Sequence, residues 1–194
     1  CQSLLPELMR RLICASVKQL DRLSFPSGDA VHMPGWDGIV SSPEPIDIVP
    51  DGVSLWECGV NKDIQTKAND DIIKRAANPL GHIKSDSAFV FVTPREWPGA
   101  NVWTTANQSG WKKLVVYTAV ELEAWIEKCP AVGMWLADKL NVLNAGGYQL
   151  PNVFWMQWAS SDKYTLPYQI VTAGRNQAID KVLKACNNPS ILEI

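Results

Sequence analysis

Two short runs that are apolar throughout place the strongest constraint on the fold of this chain. They cover residues 88–92, where the run ends at Thr93-Pro94, and residues 114–117. A strand that is apolar on both sides requires cover on both faces of its sheet, and helices packed on each face supply that cover. The two runs therefore predict an α/β fold in which a mixed central sheet is flanked by helices.

Helical periodicity supplies the segments that can cover such a sheet. Apolar residues recur at three- and four-residue spacing over residues 4–23, and Pro6 stands where a first-turn proline is tolerated. The same periodicity predicts four more helices, over residues 63–77, 120–128, 131–140 and 177–185. In the second helix the residues expected to be buried are Ile64, Ala68, Ile72 and Ile73, and those expected to be exposed are Lys67, Asp70, Asp71 and Lys74.

A hairpin with a carboxylate on each strand is predicted between the first two helices. Residues 34–40 are typical of a tight turn that enters a short strand. A Pro-Asp-Gly turn at residues 50–52 then leads into a second strand over residues 53–60. Asp37 and Glu57 lie on these two strands, 20 residues apart (57 − 37).

Composition excludes several other classes of protein. The chain has 194 residues, of which 46% are hydrophobic and 20% charged, as in ordinary soluble globular proteins. No apolar run approaches the roughly 18 to 20 residues that cross a bilayer, and the first residues lack the pattern of a signal peptide. The five cysteines form no Cys-x-x-Cys pair, which disfavours a structural zinc site and favours a reduced, cytoplasmic protein.

Asp37 and Glu57 are the candidate catalytic residues. Alternation along the strand over residues 53–60 places Glu57 on the opposite face from Trp56 and Cys58. A lone glutamate among apolar neighbours is costly unless a cation or a metal ion accompanies it. Hydrolysis of nucleic acid uses a hard divalent cation that a few carboxylates hold, with positions open for water and phosphate. The pair therefore predicts a Mg²⁺ or Mn²⁺ site.

The order of these features resembles the PD-(D/E)xK, or restriction-endonuclease-like, superfamily, nearer to its Mrr-like branch. A helix is followed by the Gly-x-Asp-Gly turn at residues 35–38, by a strand with Glu57, and by a helix that bears lysine. The resemblance covers residues 4–118. It implies a restriction-endonuclease-like fold and a metal-dependent DNA endonuclease, in which Asp37, Glu57 and the backbone carbonyl of Cys58 hold Mg²⁺ or Mn²⁺.

The chain departs from the family pattern at the lysine of the second motif. The family has Glu-x-Lys, whereas this chain has glycine at position 59. In some members the lysine lies on the following helix instead. The resemblance then implies Lys67 as the substitute, with Lys62 and Lys74 as alternatives, and Glu7 matches an auxiliary acidic residue of the first helix.

Each assignment has a structural alternative. Asp37 could serve only a turn, and Glu57 could form an ion pair with Lys67 or Arg75. Glu7 could be a first-turn acid that the helix dipole favours. The same residues therefore also fit a catalytically inactive module of the nuclease fold, or an α/β interaction domain.

The charge and the tryptophans bear on nucleic-acid binding in different ways. The net charge of −2 does not indicate a basic protein. Four basic residues nevertheless cluster in sequence: Lys62, Lys67, Lys74 and Arg75. Three of the nine tryptophans lie in a loop-rich stretch, where they could stack on bases or pack in the core: Trp97, Trp103 and Trp111.

The domain organisation is predicted to have two parts. A boundary near Asn144 separates a nuclease-like domain, residues 1–143, from a connector, residues 144–194. Residues 167–175 and the helix after them are similar to the junction that follows N-terminal effector nuclease domains in large bacterial antiphage proteins, which continue into a STAND-type NTPase. The first residue is not Met, and the chain is interpreted as a fragment. The implied partners are DNA and either other copies of the chain or a C-terminal regulatory domain, with no membrane.

Overall fold

The computed structural model describes residues 4–26, 34–43, 48–108, 110–142, 151–160 and 167–187. The chain divides into two compact units, Cys1–Lys139 and Leu140–Ile194. The predicted boundary residue, Asn144, lies outside the described residues, and the assignment of the two parts as nuclease domain and connector stays a prediction. Within the described ranges, no helix combines the length and apolar character needed to cross a membrane.

The first unit is built on one mixed sheet of five strands. In chain order they are β1 Arg22–Ser24, β2 Gly38–Ser42, β3 Gly52–Cys58, β4 Ser87–Val92 and β5 Lys113–Tyr117, and they lie side by side in that order. β1, β2 and β3 are antiparallel, whereas β4 is parallel to β3 and β5 is parallel to β4. The predicted α/β fold with a mixed sheet is confirmed.

Five helices of the first unit cover this sheet. They are α1 Leu4–Ser16, α2 Ile64–Ala77, α3 Ala100–Asn107, α4 Ala119–Glu127 and α5 Pro130–Lys139, and a 3-10 turn spans Lys84–Asp86. Local chemistry fixes where α2 and α4 begin. The Asp63 carboxylate accepts the Thr66 N–H at 3.0 Å, and Thr118 forms a capping box with Glu121. These caps satisfy backbone donors that the first turn of a helix leaves free.

The two faces of the sheet carry separate hydrophobic cores. We call the face covered by α1, α4 and α5 the α1 face; its buried side chains include Met9, Leu12, Trp56, Val90, Val92 and Trp125. We call the opposite face the α2 face; its buried side chains include Leu55, Ala68, Ile72, Phe89, Phe91 and Trp103. Because neighbouring residues of a strand point to opposite faces, β3 contributes Trp56 to one core and Leu55 to the other.

The second unit consists of helices in the described ranges. They are α6 Pro151–Ala159, α7 Tyr168–Thr172 and α8 Asn176–Asn187. In α6 the rings of Trp155 and Trp158 lie 5.2 Å apart. The predicted final helix, residues 177–185, falls within α8, which exposes Ile179, Val182 and Leu183.

The predicted first helix is too long. α1 ends at Ser16, and residues 22–24 form β1, with Arg22 opposite Ser41 and Ser24 opposite Ile39. The helical spacing of apolar residues continues past Ser16, but pairing with β2 satisfies the backbone of residues 22–24 instead.

The tryptophan-rich stretch predicted to be a loop contains α3. Trp103 lies on this helix, and both Trp103 and Trp111 are buried. Trp103 packs 6.3 Å from the ring of Phe91, and Trp111 packs 5.2 Å from the ring of Phe89. These two residues therefore serve the core on the α2 face, which leaves them little surface for stacking on bases.

Candidate active site

Asp37 and Glu57 come together at one end of the β2–β3 hairpin. Gly38 pairs with Trp56, so the next step of the same antiparallel register places Asp37 opposite Glu57. The backbone N–H of Cys58 donates a hydrogen bond to Oδ2 of Asp37 at 2.8 Å. This bond fixes the Asp37 carboxylate beside the carboxyl end of β3.

The two carboxylates lie at the edge of the sheet where the parallel strands end. Cys58 pairs with Val92 and Val92 pairs with Tyr117, so the carboxyl ends of β3, β4 and β5 meet there. In α/β sheets this edge is where ligand sites usually form, because loops and helix ends converge on it. The hairpin thus places its two acids at this edge, with Asp37 partly exposed and Glu57 buried.

Arg75 is the cation that accompanies Glu57. Both side chains are almost fully buried, and Nε of Arg75 donates a hydrogen bond to Oε1 of Glu57. Another guanidinium nitrogen of Arg75 donates to the carbonyl of Gly35, and the group lies 4.6 Å from the centre of the Trp36 ring. Of the two ion pairs that the sequence left open, the structure contains the one with Arg75. Arg75 therefore belongs to the interior, not to an exposed basic cluster.

The site holds more negative charge than Arg75 offsets. Burial, together with the charges of the neighbouring Asp37 and Asp71 carboxylates, raises the pKa of Glu57 to about 8 against the opposing charge of Arg75. Burial also raises the pKa of the Cys58 thiol, and the charges of Asp37 and Glu57 add to that shift. Any positive ion placed here would relieve this repulsion.

A second ion pair of the site lies on α2. Nζ of Lys67 is 2.6 Å from Oδ1 of Asp71, and the exposed fractions of the two side chains are 29% and 7%. Asp71 was predicted to face solvent and is instead buried, while Ile73, predicted to be buried, is exposed. The reason is the rotation of the helix: residues 67, 71 and 75 follow Ile64 by three, seven and eleven positions and share its face.

Gly59 stands where the PD-(D/E)xK resemblance expects a lysine, and it lies against Phe91 and Lys67. A Cβ atom at position 59 would lie 2.5 Å from Cζ of Phe91 and 3.2 Å from Cγ of Lys67. No side chain fits at position 59 without displacing its neighbours. The stem of Lys67 runs through the space that a lysine at position 59 would enter.

The other sequence candidates lie farther from this arrangement. Lys62 and Lys74 are exposed, and the charge of Lys74 reaches the site only weakly, as one of the smaller influences on the pKa of Asp71. Glu7 pairs with Arg11 at 2.9 Å on α1, which packs on the α1 face, whereas Glu57 projects to the α2 face. The auxiliary role implied for Glu7 stays a prediction.

The donor chemistry of the site suits a hard divalent cation. Asp37 and Glu57 offer carboxylate oxygens, which are ligands that such a cation prefers. In the described part of the chain, no group of three or more His, Cys, Asp or Glu side chains is arranged to hold a metal ion. The set implied by the resemblance has two such side chains and completes its ligands with the carbonyl of Cys58, so it does not require such a group.

The sequence reasoning missed Asp71 as a residue of the site, and it named Arg75 only as a possible ion-pair partner of Glu57. A signal for them existed: Lys67, Asp71 and Arg75 recur at four-residue spacing, which places them in one stripe beside Ala68 and Ile72. A charged stripe that borders the apolar stripe of a helix lies at the edge of the core. Its cations can be buried there when the end of the sheet carries carboxylates that pair with them.

Comparison with protein-family models, with curated proteins and with solved structures returns no match for this chain.

Proposed function

We propose that this chain is a metal-dependent DNA endonuclease domain, which hydrolyses phosphodiester bonds. The observation that carries the proposal is the convergence of Asp37 and Glu57 at the sheet edge, with Lys67 in the space next to Gly59. The order of elements agrees with the PD-(D/E)xK resemblance: a helix, a hairpin with two acids, and a helix bearing lysine.

In the proposed hydrolysis, the residues of the site have separate roles. Asp37, Glu57 and the Cys58 carbonyl would hold Mg²⁺ or Mn²⁺, which when bound polarises a phosphate oxygen and lowers the pKa of water. Lys67 holds the attacking water and offsets charge that develops on the phosphoryl oxygens. The water oxygen bonds to phosphorus as one P–O bond to a sugar breaks, and the products are a phosphate monoester and a sugar hydroxyl.

Arg75 is compatible with this role of Glu57. A carboxylate has two oxygens and about four lone-pair sites, and the hydrogen bond from Arg75 uses Oε1. The guanidinium fixes the orientation of the carboxylate through its contacts with Gly35 and Trp36. Preorganisation of this kind is what a metal ligand requires from its surroundings.

The second candidate function is a catalytically inactive module of the same fold that mediates binding or assembly. The observation that favours it is the Glu57–Arg75 ion pair, because a guanidinium already supplies the buried carboxylate with a cation. In that case the bond between Cys58 and Asp37 only terminates the hairpin.

Cleavage of supercoiled plasmid distinguishes the two functions. With Mn²⁺ or Mg²⁺ the unaltered chain should nick the plasmid, EDTA should stop the reaction, and Asp37→Asn or Glu57→Gln should lower the rate by about 100-fold or more. Asp51→Asn is the matched control, because Asp51 is a half-exposed acid of the same hairpin that pairs with Lys112. A chain that neither cleaves DNA nor binds Mn²⁺ in calorimetry would establish the second candidate.

We also infer that the domain is the effector module of a larger antiviral defence protein. The inference rests on the likeness of residues 167–175, which here form α7 and the turn that precedes α8, to the junction found after such modules. Its test is whether expression of the longer natural protein protects cells from phage, and whether Asp37→Asn removes the protection.

A further inference from the structure

Asp71 is buried at a place where helix stability does not require it. An ion pair between residues four apart supports a helix equally well on its exposed side, where no charge has to be removed from water. Asp71 instead lies 5% exposed on the α2 face, with Lys67 as its partner. The burial of this carboxylate therefore calls for another explanation.

One carboxylate oxygen of Asp71 accepts a hydrogen bond and the other does not. Oδ1 accepts the hydrogen bond from Nζ of Lys67 at 2.6 Å, while Oδ2 is buried and has no hydrogen-bond partner among the residues that the structure describes. A buried acceptor without a donor is unfavourable, and in native proteins it commonly marks a place where water or a ligand binds. Oδ2 is therefore an open acceptor inside the protein.

The open acceptor belongs to the same site as the two strand acids. Burial raises the pKa of Asp71 and the Asp37 carboxylate adds to that shift, while the charge of Asp71 in turn adds to the raised pKa values of Glu57 and the Cys58 thiol. Its partner Lys67 passes the α carbon of Gly59, the residue that follows Cys58. α2 thus brings an ammonium group and an acceptor oxygen to the carboxyl end of β3.

We propose that Asp71 is a positioning residue of the proposed nuclease site: it holds the Lys67 ammonium beside Gly59, and its second oxygen accepts a hydrogen bond from the attacking water. The inference rests on the proposed function, since it assigns Asp71 a part in the same reaction. The ammonium group of Lys67 stands on a flexible four-carbon stem and can therefore take many positions. A buried carboxylate four residues away removes that freedom, because an ion pair in a confined place holds one geometry.

Lysine acylation tests the positioning without any cleavage. The unaltered chain is treated briefly with an N-hydroxysuccinimide ester, and modification of individual lysines is followed by mass spectrometry. Lys67 should react about tenfold more slowly than the exposed Lys74 on the same helix, because its amine is ion-paired and half-buried. Asp71→Asn should bring Lys67 close to the rate of Lys74, whereas Asp70→Asn, which alters an exposed acid next in sequence, should change nothing.

Cleavage and Mn²⁺ binding by the same variants test the catalytic part. Asp71→Asn should lower kcat for plasmid nicking by about 10- to 100-fold and leave the Kd for Mn²⁺ within about twofold. Asp37→Asn should weaken Mn²⁺ binding, and Asp70→Asn should alter neither quantity. A loss of Mn²⁺ affinity in Asp71→Asn as large as that in Asp37→Asn would overturn the positioning role, because Asp71 would then be a metal ligand.

The experiments distinguish failure of the role proposed for Asp71 from failure of the proposed nuclease function. Equal acylation of Lys67 and Lys74 in the unaltered chain, or normal kcat in Asp71→Asn, would overturn the role of Asp71 and leave the nuclease proposal standing. Absence of metal-dependent cleavage by the unaltered chain would overturn the proposed function itself, and the part that Asp71 plays in it.

Discussion

Two neighbouring residues of β3 are buried in opposite kinds of surroundings, one on each face of the sheet. On the α1 face, Trp56 is fully buried among apolar side chains, 5.7 Å from the ring of Phe25 and 5.8 Å from that of Tyr117. On the α2 face, Glu57 is also buried but lies beside charged groups of α2. The same backbone therefore supports a dry core on one side and a buried charge cluster on the other.

This difference teaches that the charge cluster is not a requirement of the fold. Replacing a buried ion pair with apolar residues of similar volume is often neutral, or stabilises a protein by about 1–4 kcal/mol. The α1 face shows that this chain can supply such residues at the end of β3. Four ionisable side chains on the α2 face, Glu57, Lys67, Asp71 and Arg75, therefore mark this face as the candidate functional face of the sheet.

The largest expected effect compares one deletion on each face. Trp56→Ala should lower the free energy of unfolding by about 3–5 kcal/mol at every pH, because it leaves a cavity. Arg75→Ala should cost about 3–5 kcal/mol at pH 9, where Glu57 is ionised without its cation. That loss should shrink at pH 4.5, where Glu57 is protonated. Urea unfolding at the two pH values measures the loss of stability in each variant. If the loss in Arg75→Ala were the same at both pH values, this would contradict the buried ion pair.

The pH dependence of the unaltered chain should come from the α2 face. The pKa of Glu57 is raised to about 8, so the folded state holds this proton more tightly than the unfolded state. This contribution to stability is fully present below the unfolded pKa of about 4.3 and is lost as the pH rises through 8, by an amount on the order of a few kcal/mol. Urea titrations from pH 4 to 9 measure the slope, and Glu57→Gln should remove most of it.

The strands and helices that position the site were predictable from the sequence. The burial of the charged side chains on α2 was not. Residues 53–60, 63–77 and 88–92 have strong patterns, and β3, α2 and β4 lie on them within two residues at each end. Asp37 and Glu57 followed from the hairpin, whose register is a local property. β1 was missed because three residues are too few to show alternation.

The burial of Asp71 and Arg75 depends on what α2 packs against. Ile72 and Ile73 are adjacent in sequence, but a helix turns about 100° per residue, so only one of them can face the sheet. The sequence prediction placed both on the buried face. Contacts between distant segments, such as Lys67 with Gly59, have no counterpart in local periodicity. Physical reasoning from the sequence therefore reached the strand acids and offered Lys67 or Arg75 as the partner of Glu57, but it did not reach the burial of Asp71.

Restoring the second-motif lysine should harm the protein. Gly59→Lys recreates Glu-x-Lys, but its Cβ would meet the Phe91 ring and the stem of Lys67. The variant should lose about 1–3 kcal/mol of stability by overpacking. Gly35→Ala is the control, since a Cβ there meets nothing within 4 Å among the described residues. Thermal unfolding of both variants measures the difference, and a Gly59→Lys chain as stable as the parent would show that Lys67 does not fill this space.

The smallest expected effect concerns how pH governs metal binding on the α2 face. A metal ion binds the ionised carboxylate, so binding releases the proton that Glu57 holds below its pKa of about 8. The affinity for Mn²⁺ should therefore rise by up to about tenfold per pH unit between pH 6.5 and 8, and level off above it. Calorimetry in two buffers of different ionisation enthalpy measures the affinity and the proton release together. Glu57→Gln should bind weakly with no such rise, and Trp56→Phe, which changes only the α1 face, should keep it. An affinity that stays flat in the unaltered chain would show that Glu57 is already ionised by Arg75, and that the α2 face holds a closed ion pair in place of a metal ligand.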